Sequence, residues 1–77
     1  MSRIFEKPTR VDITWDEVES LFIACNALIK EGRGSRKRII IDNQILGIHV
    51  PHPQKEFKQY AVKEIRIFLE NLGITPQ

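Results

Sequence analysis

Residues Gly32 to His52 read GRGSRKRIIIDNQILGIHVPH, and the fold follows from how that stretch is parsed. A glycine-spaced turn (Gly32, Arg33, Gly34, Ser35) leads through Arg36, Lys37 and Arg38 into the apolar triplet Ile39 to Ile41. The chain turns at Asp42-Asn43-Gln44 and returns through Ile45 to Val50. This predicts a β-hairpin with a positively charged root, its returning strand carrying His49 and leading to His52 in a turn between Pro51 and Pro53. With Asn43-Gln44 as a two-residue loop, Ile41 pairs with Leu46, Ile39 with Ile48 and Lys37 with Val50 on the core face. The other face then holds Ile40 opposite Gly47 and Arg38 opposite His49, with Arg36 near Pro51. The period of two fixes those faces, so a one-residue slip reverses them.

On either side the period changes to that of a helix. Before the hairpin, Trp15, Val18, Leu21, Phe22 and Cys25 form one apolar stripe, and Asp16, Glu17 and Glu19 place negative charge in the first turns. Thr14 is the N-cap: Glu17 stands where a capping box needs it, and Ile13 and Val18 occupy the hydrophobic-staple positions. Asn26 is suited to a left-handed stop, and Ala27 to Glu31 has room for one short strand. After the hairpin, Val62, Ile65, Phe68, Leu69 and Leu72 form a second stripe, stopped by Gly73 with Pro76 beyond it. Residues 1–12, with Pro8 and no periodicity, read as an extended lead-in to a single domain over 13–77. Two helices must bury their stripes against the only large apolar surface available, one side of the sheet. The expected fold is α+β, an α-β-β-β-α two-layer sandwich with helices from about Trp15 to Cys25 and Tyr60 to Leu72.

Composition narrows the function. A chain of 77 residues lies near the lower limit for a core without disulfides or metal, burying about 60% of its unfolded surface. Its single cysteine, Cys25, forms no internal disulfide and gives no thiolate metal cluster. No apolar run approaches a membrane span and the N-terminus lacks a signal-peptide core, so a cytoplasmic protein with no membrane role is expected. No motif calls for a metal, a cofactor or a small-molecule ligand. The net charge of +2 is too small to indicate nucleic acid, but Arg33 to Arg38 holds four positive charges and no negative one. Such a run suits phosphate contact, although a run of this kind is most often a solvated strand edge that discourages pairing with other chains.

Gly34-Ser35 at the entrance to the middle strand, Pro51-His52-Pro53-Gln54-Lys55-Glu56 after the third strand, and a last helix ending Phe68-Leu69-Glu70-Asn71-Leu72-Gly73 are together similar to the HicA family of toxins from bacterial toxin–antitoxin systems. The resemblance runs from about Ile13 to Ile74. It implies a fold like that of double-stranded-RNA-binding domains, endoribonuclease activity on mRNA, and neutralisation by a HicB-like antitoxin protein. The chain departs from the family pattern at one point. The family's usual histidine lies one or two positions after Gly-Ser, where this chain has Arg36 and Lys37, so that role passes to neither.

The residues supply their own candidates. Metal-independent RNA cleavage needs a base for the 2′-OH, an acid for the leaving 5′-oxygen, and cations for the charge at phosphorus. His49 and His52 are the catalytic candidates, and Arg33, Ser35, Arg36, Lys37, Arg38 and Lys55 the RNA- and phosphate-binding ones. A second reading is a non-catalytic RNA- or protein-binding module that keeps the fold without the histidine. Each candidate also has a structural use: His49 as a surface histidine, His52 as a turn-fixing hydrogen bonder, Ser35 as a turn residue. Tyr60 and Phe57 either stack on a base or pack at the helix entrance.

Overall fold

In the computed structural model, residues 3–51 and 55–74 are described. They run as a 3-10 helix Arg3–Phe5, α1 Trp15–Ala24, β1 Leu28–Glu31, β2 Arg36–Ile41, β3 Gln44–His49 and α2 Gln59–Asn71. The strands form one antiparallel sheet in the order β1-β2-β3. This is a small α+β domain in which the expected order of two helices and three strands is present. His52, Pro53, Gln54 and Pro76 lie outside the described residues.

Each helix ends where its sequence provides a left-handed residue. Asn26, at φ 61, closes α1, with the Ala27 N–H donating to the Phe22 carbonyl and that of Asn26 to Ile23. Gly73, at φ 81, closes α2 in the same way, Ile74 donating to Leu69 and Gly73 to Glu70. Both are Schellman endings, which satisfy carbonyls that would otherwise lack partners. The start of α1 differs from expectation. Thr14 is the N-cap, extended at φ −104, but its side chain makes no capping bond. Glu17 does not complete a capping box either, because the Arg3 guanidinium holds it through Nη2 at 2.7 Å and Nε at 3.1 Å. A forked, charge-assisted pair outcompetes a neutral backbone N–H for the same carboxylate.

One core serves the whole domain. Val18 and Phe22 of α1, Ile39, Ile41 and Ile48 of one sheet face, and Val62, Ile65 and Leu69 of α2 are buried in a single cluster, with Leu21, Leu46, Phe68 and Leu72 half-buried against it. The residues before α1 are not the plain extended lead-in that was expected. Ile4 is 0% exposed within that cluster, held by the 3-10 turn. Thr9 is buried, its carbonyl accepting from Gln59 at 2.8 Å and its hydroxyl from Arg66 at 3.1 Å. The Phe57 N–H donates to the Ile13 carbonyl at 2.7 Å, beside a Thr14–Glu56 bridge, so the approaches to the two helices are stitched together.

The hairpin register also needs a correction. Asp42 and Asn43, at φ 49 and 67, are the two loop residues, and Ile41 pairs with Gln44. A type I′ hairpin needs a positive φ at both central positions, which Asp and Asn tolerate far better than Gln. The loop therefore sits one residue earlier than the sequence reading placed it. Moving it by one shifts every partner by two, so the faces survive and the neighbours change: Ile39 faces Leu46, Lys37 faces Ile48, Arg38 faces Gly47 and Arg36 faces His49.

Candidate functional site

The hairpin root is built by the backbone of its glycine turn. The Arg36 N–H donates to the Arg33 carbonyl at 3.0 Å and the Gly32 N–H to the Arg36 carbonyl at 2.8 Å. Gly34 stands at φ 58, where an L side chain is strained. A Cβ on Gly32 would lie 3.1 Å from the Arg36 carbonyl oxygen, so the turn closes this tightly because Gly32 has none. The Val50 N–H then donates to the Ser35 carbonyl at 2.8 Å, carrying the β2–β3 ladder one step past the Arg36–His49 pair. Ser35, Arg36 and His49 meet there.

The basic run divides between the two faces of the sheet. Arg36 and Arg38 are exposed on the face away from the core. Arg38 lies between Lys30 of β1 and Gly47 of β3. Gly47 leaves β3 bare at that point, and a Cβ placed there would lie 4.0 Å from the Arg36 guanidinium. The result is an open depression of about 430 Å³ lined by Gly32, Arg33, Arg36, Lys37, Arg38, Ile45 and Gly47. Among the described residues, the side chains of Arg33 and Arg38 make no ion pair or hydrogen bond. Lys37 borders the depression as well, but its ammonium is engaged elsewhere. It is half-buried, paired with Glu31, and its ammonium lies 5.9 Å from the Trp15 ring centroid. A cation already held by a carboxylate and an indole face has less to offer a phosphate.

His49 is exposed, with Nδ1 3.4 Å from Ser35 Oγ and Nε2 3.4 Å from Arg36 Nη1. A guanidinium only donates, so this arrangement assigns the Nε2 lone pair to Arg36 and the ring proton to Nδ1, directed at the serine hydroxyl. Both contacts are long and solvent-exposed, and a bound anion that drew Arg36 away would uncover Nε2. Lys55 is exposed and lines a second cleft, whose wall includes His49. Of the predicted set, Ser35 and Arg36 both contact His49 and Arg33 and Arg38 flank them, whereas the Lys37 ammonium is taken by Glu31 and Lys55 lines the second cleft. Arg38, expected across from His49, stands across from Gly47 instead.

Sequence reasoning missed Lys30 and Gly47. Leu28-Ile29-Lys30-Glu31 has no apolar–polar alternation to single out Lys30, and its place beside Arg38 depends on the β1–β2 register. No helix among the described residues is long and apolar enough to cross a membrane. No protein-family model matches this chain, and no curated protein or solved structure matches it as a relative.

Proposed function

We propose that this chain is a HicA-like toxin, a cytoplasmic, metal-independent endoribonuclease that cuts mRNA and is silenced by a HicB-like antitoxin, on a two-layer fold like that of double-stranded-RNA-binding domains. One observation carries the reading: an exposed imidazole, a guanidinium and a hydroxyl meet at the root of a hairpin whose other outward cations are unpaired. In the family pattern the histidine lies one or two positions after Gly-Ser, where this chain has Arg36 and Lys37. The cross-strand partner of Arg36 is His49, so an imidazole reaches the same neighbourhood from the facing strand. In this mechanism Arg36 turns to the scissile phosphate, with Arg33 and Arg38 holding its neighbours. The freed Nε2 of His49 takes the 2′-OH proton while Ser35 orients the ring through Nδ1–H. The 2′-oxygen attacks phosphorus, the bond to the 5′-oxygen breaks, and that oxygen takes a proton from an acid, the role open to His52. An antitoxin would silence such a surface with carboxylates set against Arg33, Arg36 and Arg38.

The non-catalytic binding module is favoured by a different feature, the Nε2 of His49 turned to a cation rather than to open solvent. Partner-free protein incubated with single-stranded RNA in chelator decides between them. Cleavage is expected, and His49→Ala should reduce it by about 10²- to 10⁴-fold with binding retained. Undiminished cleavage in His49→Ala would refute the assignment, and binding without cleavage by the wild type would leave the binding module.

A further inference from the structure

Tyr60 and Phe57 have two uses each on sequence, stacking or packing, and the structure separates them. Phe57 is 3% exposed and belongs to the core, whereas Tyr60, the second residue of α2, is 64% exposed. Tyr60 stands off the buried stripe of Val62, Ile65 and Leu69, so the fold makes little use of its ring. It borders a cleft of about 290 Å³, together with Val50, Pro51, Phe57, Lys58 and His49. That volume is at the lower end for a small-ligand pocket.

The cleft is joined to the basic root. His49 forms part of its wall, and the Nε2 of the same ring lies 3.4 Å from Arg36, which lines the cationic depression. A mainly apolar cleft with an exposed aromatic ring and a depression lined by arginines are therefore joined through the His49–Arg36 contact. Proteins that hold single-stranded nucleic acid combine these two parts, a positive track for the backbone and aromatic rings for successive bases. Lys55, Glu56 and Lys58 also line the cleft, two cations against one carboxylate, which leaves one net positive charge on this side.

We propose that this cleft is a nucleobase subsite for single-stranded RNA, in which the base next to the phosphate held at Arg36 stacks on Tyr60. The proposal rests on the reading of the root as an RNA site and adds where one base goes. Every base has a π-face, so the subsite tolerates any base and adds affinity without reading sequence.

The probe is a fluorescein-labelled single-stranded 2′-O-methyl RNA, which has no free 2′-OH to be cut, beside an abasic strand of the same length, both titrated by fluorescence anisotropy. Wild type should bind the base-bearing strand more tightly, on the order of tenfold. Tyr60→Ala should erase that preference without changing the salt dependence, and Tyr60→Phe should keep it. Arg36→Ala should weaken binding of both strands and lower the salt slope by about 0.7. A Tyr60→Ala protein that keeps the preference overturns the subsite while the Arg36 response upholds the phosphate groove. Wild type that binds neither strand overturns the functional reading and the subsite with it.

Discussion

Two parts of this small domain are rich in arginine, and they use it in opposite ways. In the segment before α1, Arg3 and Arg10 are consumed by structure: Arg3 binds Asp12 and Glu17, and Arg10 binds Asp12 and Glu6. At the hairpin root, Arg33 and Arg38 have no such partner among the described residues, and Arg36 has only an imidazole. Counting basic residues along the sequence does not separate the two. The difference lies in what the fold brings opposite each guanidinium: carboxylates in the first case, a bare glycine and a histidine in the second. An arginine that already has its carboxylates helps to hold a segment in place. One without them leaves its donors open to a ligand.

The largest effect expected from breaking this contrast is on stability. Ile4 is the apolar anchor of the first segment and is fully buried. Ile4→Ala should cost about 2–5 kcal/mol, because the cavity is left in a core too small to collapse around it. In a domain of this size that lowers the melting temperature by about 10 °C or more. Arg38→Ala at the root should stay within about 0.5 kcal/mol, since the side chain has no partner to lose. Thermal melts of the two variants test the pair, and equal losses would mean that the root, too, holds the fold together.

That asymmetry was only partly legible in the sequence. The helices, their stripes and their left-handed stops were readable because each depends on residues a few positions apart. The split of the basic run was readable too, since alternation puts Lys37 on the opposite face from Arg36 and Arg38. The role of Ile4 was not. One apolar residue has no period, and Arg3 meets its carboxylates nine and fourteen residues away, a pairing set by the folded chain. The pairing of His49 with Arg36 depended on which two residues form the loop, and so on the left-handed tolerance of Asp42 and Asn43. The Ser35 contact with His49 follows from the same register.

A smaller effect should separate the two regions by pH. The Asp12 carboxyl is held well below the ordinary aspartate value of about 3.9, chiefly by hydrogen bonds from Arg10 and then by the positive charges of Arg10 and Arg3. A carboxyl depressed in the folded state contributes stability that is fully present above its unfolded value and is lost as pH falls below it toward the folded one. The first segment should therefore loosen as pH drops below about 4, whereas the root arginines have no carboxylate partner among the described residues to lose. Hydrogen-exchange protection reports this directly. The Glu6 amide, bonded to the Arg3 carbonyl, should lose protection before the Gly32 and Val50 amides that close the root. Loss at the root first would contradict the division drawn between the regions.

The smallest effect bears on how the root gets its geometry, because the residues that set it lie at the far end of the hairpin. With Asp42 and Asn43 as the left-handed pair, Asn43→Gly gives the Asp-Gly loop that type I′ hairpins favour, and it should stabilise the domain by about 0.4–1 kcal/mol. Gln44→Gly should do the reverse. Gln44 is the first residue of β3 and pairs with Ile41, so a glycine there weakens the strand by about 0.5–1 kcal/mol. The alternative loop, Asn43-Gln44, would invert the second sign, because glycine at position 44 would create an Asn-Gly turn. It would also shift each partner by two and bring His49 opposite Arg38. Denaturant melts read the sign, and cross-strand NOEs between Arg36 and His49 read the register. If Gln44→Gly is stabilising and those NOEs move to Arg38, the imidazole has left Ser35 and Arg36, and the variant should lose whatever activity depends on that contact while its arginines still bind phosphate.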